Sequence, residues 1–133
     1  SSSPFLPVTY ILPEDRARLI QDWRDRGEKG LYILKPKASA RGQGIRLIAA
    51  PDKEIKRGAG VLVQRYIEDP FLIDKRKFDL RVYVLITSFD PLKVYVYKEG
   101  LARFCTELYS EGGVRKNYKD KLRHLTNYSL NKR

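Results

Sequence analysis

Lys77-Phe78-Asp79-Leu80-Arg81-Val82-Tyr83-Val84-Leu85-Ile86-Thr87 decides the fold class, because a run this rich in β-branched and aromatic side chains reads as a long strand. Asp90-Pro91 then marks a turn, Val94-Tyr95-Val96-Tyr97 a returning strand and Glu99-Gly100 a second turn, so an antiparallel meander is expected from Phe78 onward. Along such a strand Lys77, Asp79 and Arg81 project to one side, while Phe78, Leu80 and Val82 project to the other. Tyr83 and Leu85 continue the charged parity, which predicts that the charges border a partly enclosed space. Charge in such a place must be paired or meet a ligand. An internal salt bridge through Asp79 is the competing explanation. Arg103, on a neighbouring predicted strand, can join the same cleft or stand exposed.

Upstream, Pro13-Glu14-Asp15 followed by Leu19-Ile20 and Trp23 reads as a helix with an acidic first turn, ending near Gly27 to Gly30. Leu31-Tyr32-Ile33-Leu34, Ile45-Arg46-Leu47-Ile48 and Val61-Leu62-Val63-Gln64-Arg65-Tyr66-Ile67 read as strands. The first two are joined by Lys35-Pro36-Lys37-Ala38-Ser39-Ala40-Arg41-Gly42-Gln43-Gly44. Glycine permits close backbone approach, and Lys35, Lys37 and Arg41 bring countercharge, so this loop has the makings of a phosphate wrap. An ordinary glycine-rich hairpin with solvated charges is the alternative for the loop taken alone. It is not a dinucleotide fingerprint, since Leu47 stands where a third glycine belongs, and no Gly-x-x-x-x-Gly-Lys-Ser/Thr run exists. Ser110 to Arg123, polar and basic, reads as a mobile loop. His124, alone of its kind, reads as a structural hydrogen-bonding residue ahead of Leu125-Thr126-Asn127-Tyr128-Ser129.

The 133 residues carry a formal charge of +11, which predicts attraction to a polyanion without choosing among nucleic acid, nucleotide, membrane and acidic protein. No run approaches the roughly 20 apolar residues of a membrane span. A single cysteine, Cys105, excludes a disulfide framework and a cysteine-based zinc site, and its apolar flanks predict a small buried filler. The sequence has no methionine and opens on Ser1-Ser2-Ser3, which suggests a piece of a longer polypeptide. There is no internal repeat.

Pro7-Val8-Thr9-Tyr10-Ile11-Leu12-Pro13, Ile33-Leu34-Lys35-Pro36, Ser39-Ala40-Arg41-Gly42-Gln43-Gly44-Ile45, Val63-Gln64-Arg65-Tyr66-Ile67, Lys77-Phe78-Asp79-Leu80-Arg81, Gly100-Leu101-Ala102-Arg103-Phe104 and His124-Leu125-Thr126-Asn127-Tyr128-Ser129-Leu130-Asn131-Lys132 resemble, in order and spacing, the tubulin tyrosine ligase-like enzymes. The resemblance covers nearly the whole chain. It implies an α+β ATP-grasp fold, present in part and built mostly of antiparallel sheet. Residues 1–63 would be the central lobe with its phosphate loop, 64–67 the hinge and 68–133 the start of the C-terminal lobe. Ala38-Ser39-Ala40-Arg41-Gly42, Thr87-Ser88-Phe89-Asp90-Pro91-Leu92 and Asn127-Tyr128-Ser129-Leu130-Asn131-Lys132 look most like the polyglutamylases; glycine-adding enzymes are the closest competitor.

By the same resemblance, Lys35 and Lys77 would contact the nucleotide, Ser39, Arg41, Gly42, Gln43 and Gly44 would cover the phosphates, and Gln64, Arg65, Tyr66 and Ile67 would read the adenine edge. Asp79, Arg81 and Arg103 would orient phosphate and carboxylates as the catalytic set, with Arg81, Arg103 and Lys132 touching substrate. Thr126 and Asn127 would close the site. The implied cofactors are ATP and Mg²⁺, and the implied partners are acidic tubulin tails, microtubules and free glutamate, in the cytoplasm at the cytoskeleton, cilium, flagellum or basal body. Neither nucleic acid nor a membrane is expected as a partner, and a monomer is expected. The family's magnesium ligands, an acidic residue and a Glu-x-Asn pair, have no match here: Arg115, Leu125 and Ser129 precede Asn117, Asn127 and Asn131 by two places. The chain alone is therefore expected to be inactive. Two non-enzymatic readings stand beside this one, a catalytically dead microtubule binder and a basic nucleic-acid module that stacks bases on its tyrosines; the latter is weakened because Tyr83, Tyr95 and Tyr97 fall in apolar strands and read as core or sheet-face residues.

Overall fold

A computed structural model describes residues 5–37, 44–109, 116–127 and 131. Strands β1 (Thr9–Ile11), β2 (Tyr32–Pro36), β3 (Arg46–Ile48) and β4 (Val61–Arg65) form one sheet in the order β1-β4-β2-β3, antiparallel at every pairing. Since β1 and β2 both run antiparallel to β4, they are parallel to each other, and helix α1 (Arg16–Asp25) makes the crossover between them. Two short helices follow in α2 (Pro51–Glu54) and α3 (Lys121–His124). Between them β5 (Phe78–Phe89) and β6 (Leu92–Phe104) make a second, two-stranded sheet.

Alternation along the strands gives the first sheet two different faces. Tyr10, Tyr32, Leu34, Ile48 and Val63 pack with Leu19 and Trp23, the i, i+4 pair on the inner stripe of α1. The helix begins at Arg16, later than the acidic residues predicted to open it. Asp15 takes the N-cap place, and its carboxylate accepts from the Ile11 amide at 2.8 Å. On the opposite face Leu31, Leu47, Tyr66 and Tyr109 form a second cluster, edged by Ile33. This opposite face carries the site.

The expected meander is a single long hairpin. No turn forms at Glu99-Gly100, because β6 runs straight through it. Glycine is required there for another reason: a Cβ at Gly100 would lie 2.5 Å from the Arg81 carbonyl oxygen. The pairing slips between Val82 and Val84, and Tyr83 and Leu85 are 50% and 62% exposed, so the enclosure expected along the parity of Lys77, Asp79 and Arg81 does not reach them. Beyond the slip both faces are open; Tyr83, Tyr95 and Tyr97 are 50%, 59% and 59% exposed and are sheet-face residues, not core. Residues 116–123 of the predicted loop are among those described. Asp120 caps α3, accepting from the Leu122 amide at 3.1 Å, and the helix ends on the buried His124.

Candidate functional site

Where β4 leaves the sheet, the chain turns toward β5 and encloses a cleft of about 480 Å³. Its lining comes from Pro7, Ile33, Gln64 to Ile67, Asp69 to Phe71, Lys77 and Phe78. Strand alternation sorts the four residues at the exit. Gln64 lies across from Thr9 on one side and Ile33 on the other, on the face that bears the cleft. Its amide donates to the Thr9 hydroxyl at 2.8 Å and accepts from Lys35 Nζ at 2.6 Å, so Lys35 is held at the same face. Arg65 points the other way. Its guanidinium makes a two-pronged ion pair with Asp22 on α1, leaving its backbone to border the cleft. Burial pushes the Asp22 carboxyl up, but hydrogen bonds from Arg65, Tyr32 and Tyr10 outweigh it and hold the group below its ordinary value. Tyr66 returns to the cleft face, with its amide donating to the Leu31 carbonyl at 2.9 Å; Ile67 is largely exposed.

The cationic wall of the cleft is Lys77. Its ammonium donates to the Tyr66 hydroxyl at 3.0 Å and to the His124 carbonyl at 3.1 Å, and lies 4.5 Å from the centre of the Tyr66 ring. Burial, with some help from Lys35, depresses its pKa below the ordinary lysine value; Cys105 and Asp79 pull it back. Phe71 and Phe78, edge to face at 6.2 Å, supply the apolar wall.

Asp79 and Arg103 stand directly opposite each other on β5 and β6. Arg103 Nε donates to one carboxylate oxygen at 2.7 Å, and an Nη donates to the other. The salt bridge considered from the sequence therefore exists. Arg103 holds the Asp79 carboxyl below its ordinary value against the opposing effect of burial, aided by a hydrogen bond from Thr126 and the charge of Arg81. Arg81 itself is exposed on β5. Lys77, Asp79, Arg103 and Thr126 are thus one cluster beside the cleft, joined on its other side by Lys35 and Gln64.

Ser39, Arg41, Gly42, Gln43 and Lys132 lie outside the described residues. Gly44 closes the loop at φ +72°, where an added Cβ would lie 2.7 Å from Pro36 Cγ. Asn127 is tied back by Asn131, whose amide donates to the Leu125 and Asn127 carbonyls while its oxygen accepts from the Thr106 amide and hydroxyl. Asn131, Thr9 and Asp22 were not singled out by sequence reading, since nothing in their own neighbourhood announces partners so far away. Cys105 is buried as expected, its thiol pushed up to about 11 by burial.

Known proteins share this sequence closely. Human tubulin polyglutamylase TTLL5 is 49% identical over 129 residues, covering 96% of this chain and 10% of its own. Mouse tubulin polyglutamylase TTLL6 is 51% identical over 128 residues, covering 96% and 15%, and mouse tubulin monoglutamylase TTLL4 is 45% identical over 129 residues, covering 97% and 10%. The chain thus spans about a tenth to a seventh of the length of these relatives. The sequence pattern of the Tubulin-tyrosine ligase family matches residues 1–133, and the chain belongs to that family.

Proposed function

We propose that this chain forms the nucleotide-holding part of an ATP-dependent ligase of ATP-grasp fold, which joins glutamate to side-chain carboxylates of acidic tubulin tails. The observation that carries the proposal is the cleft at the β4 exit, where backbone edge, apolar walls and the half-buried Lys77 ammonium meet, in a chain whose relatives are named for tubulin glutamylation. Residues 1–63 then act as the central lobe, 64–67 as the hinge and 68–133 as the start of the C-terminal lobe. An adenine ring fits between Ile33 on one side and Phe71 and Phe78 on the other, with its polar edge toward the backbone of 64–67. Lys35 and Lys77 face the phosphates; Lys35 exchanges its Gln64 partner for phosphate oxygen, and the 39–44 loop covers the tail. Asp79 keeps the Arg103 guanidinium in a fixed plane, so that Arg103 and Arg81 receive carboxylates. Thr126, Asn127 and Lys132 close the site.

In the reaction, a tail carboxylate oxygen attacks the γ-phosphorus of ATP, the bond to the bridging oxygen breaks, and ADP leaves. The amine of glutamate then attacks the acyl-phosphate carbon, loses a proton and expels inorganic phosphate, leaving an isopeptide bond. Among the described residues no three His, Cys, Asp or Glu side chains lie close enough to share an ion, and Asp79 is engaged by Arg103, so no residue of this chain is assigned to Mg²⁺. The net charge of +11 steers acidic tails toward the enzyme, an attraction that salt weakens. The test is mass spectrometry of tubulin tails after incubation of the full-length protein with ATP and one amino acid at a time. Glutamyl additions that need both ATP and glutamate are expected; glycyl additions, or none, overturn the proposal.

A further inference from the structure

Behind the cleft runs a chain of hydrogen bonds whose direction follows from donor and acceptor capacity. His124 is buried, and both ring nitrogens have protein partners: Nε2 lies 3.1 Å from the Asn117 carbonyl oxygen, and Nδ1 lies 3.0 Å from the Tyr66 hydroxyl. A carbonyl only accepts, so Nε2 carries the proton. In the neutral ring Nδ1 is then an acceptor, and the Tyr66 O–H donates to it. The Lys77 ammonium can only donate, and it donates to the Tyr66 oxygen and to the His124 carbonyl. His124 therefore meets Lys77 by two routes, directly through its backbone carbonyl and, through its ring, by way of Tyr66.

We propose that His124 is a positioning residue for the cleft, acting in its neutral form: by accepting from the Tyr66 hydroxyl it turns the Tyr66 oxygen toward Lys77 and fixes that ammonium in the cleft wall. This rests on the reading of the cleft as a nucleotide site. Protonation of His124 would disturb the arrangement, because an Nδ1–H would aim at the oxygen that accepts from Lys77, and the Tyr66 hydrogen would have to turn from the ring to the Tyr109 hydroxyl. The groups facing the ring are divided, and burial opposes that proton. The Asn117 carbonyl and Asp120 favour a proton on the ring, Lys77 and Arg123 repel one, and the Tyr66 and Tyr109 rings stand perpendicular to it at 5.7 and 5.6 Å. Burial is the largest influence, and the ring titrates below its ordinary value of 6.5. The bonds that need the neutral ring are therefore intact above pH 6.5 and are lost as pH falls through the lower folded value.

The experiment measures ATP affinity by equilibrium titration, with KM and kcat, from about pH 5.5 to 8 in the full-length protein. Wild type is compared with Tyr66→Phe, His124→Ala, the double variant and His124→Asn, all checked for native folding. Tyr66→Phe and His124→Ala are each expected to weaken ATP binding about tenfold, the scale of one lost hydrogen bond. The double variant is expected to be no worse than the weaker single, because both break one chain. His124→Asn, whose carbonyl can accept from Tyr66, is expected to recover binding and to lose the acid-side fall in affinity. Folded Tyr66→Phe with ATP affinity within about twofold of wild type, additive effects in the double variant, or an acid-side fall that survives in His124→Asn would each overturn the assignment. Wild type that binds no ATP at any pH would instead overturn the nucleotide reading itself.

Discussion

Replacing Asp22 with asparagine removes one charge from the tie between α1 and β4 while keeping the side chain's shape. In the native protein the carboxylate accepts two hydrogen bonds from Arg65, one from Tyr32 at 2.9 Å and one from Tyr10. The amide of Asp22→Asn keeps one acceptor and turns a donor toward groups that donate. Tyr32 can rotate to accept, but Arg65 cannot, so one charge-assisted hydrogen bond and the attraction between full charges are lost. A bond of that kind is worth about 1.5–3 kcal/mol when buried. The Asp22 side chain is 15% exposed but that of Arg65 is 38%, and solvent screening of the arginine brings the expected loss to about 1–2 kcal/mol. Urea denaturation followed by tryptophan fluorescence reads this at Trp23, one residue along α1, as a midpoint shift of about 0.5–1.5 M. The pH dependence gives a second reading. A carboxyl with a depressed folded pKa contributes stability above its unfolded value of 3.8 and loses it as pH falls through the folded value, so the gap between wild type and variant should close in acid. A gap of under about 0.3 kcal/mol at neutral pH, or one that stays constant into acid, would refute the assignment of the charge as the source.

Gly100→Ala places a methyl group 2.5 Å from the Arg81 carbonyl oxygen, and the hairpin must open to admit it; a loss of about 1–3 kcal/mol is expected by thermal unfolding, and an unchanged midpoint would contradict the geometry. Cys105, buried and with its thiol pushed up to about 11, should resist iodoacetamide at mildly alkaline pH and react promptly once denatured; rapid labelling of the folded protein would count against its burial. If the full-length protein carries the proposed ligase activity, Arg81→Ala should lower kcat about a hundredfold or more while leaving folding intact, since Arg81 is exposed and unneeded by the core; undiminished transfer would remove it from the site.

The strands were legible because they are dense in β-branched and aromatic residues, and the turn at Asp90-Pro91 because proline and aspartate punctuate there. What escaped was either short or set from afar. Thr9–Ile11 is a strand only because β4 lies beside it, and α2 and α3 are single turns whose helicity depends on packing and on the Asp120 cap. Gly100 was mistaken for punctuation, when its role is to let two backbones approach. The nearness of Asp79 to Lys77 and Arg81 was readable from parity, but Lys77 precedes β5 and lines the cleft together with Phe78, and the slip after Val82 was not readable, since a bulge leaves little trace in composition. The partners were hidden for the same reason. Asp79 meets Arg103 only through hairpin register, and His124 meets Tyr66 from 58 positions away.

The proposed function requires that the space between the β4 exit and the start of β5 hold a nucleotide. Hydrogen exchange of the full-length protein, with and without ATP, measures this directly. Slowed exchange is expected on ATP addition in the backbone of residues 64–67 and around Lys77 to Asp79, with little change at the tip of the β5–β6 hairpin. ATP binding that leaves 64–67 and 77–79 unprotected while protecting another part of the chain would contradict it.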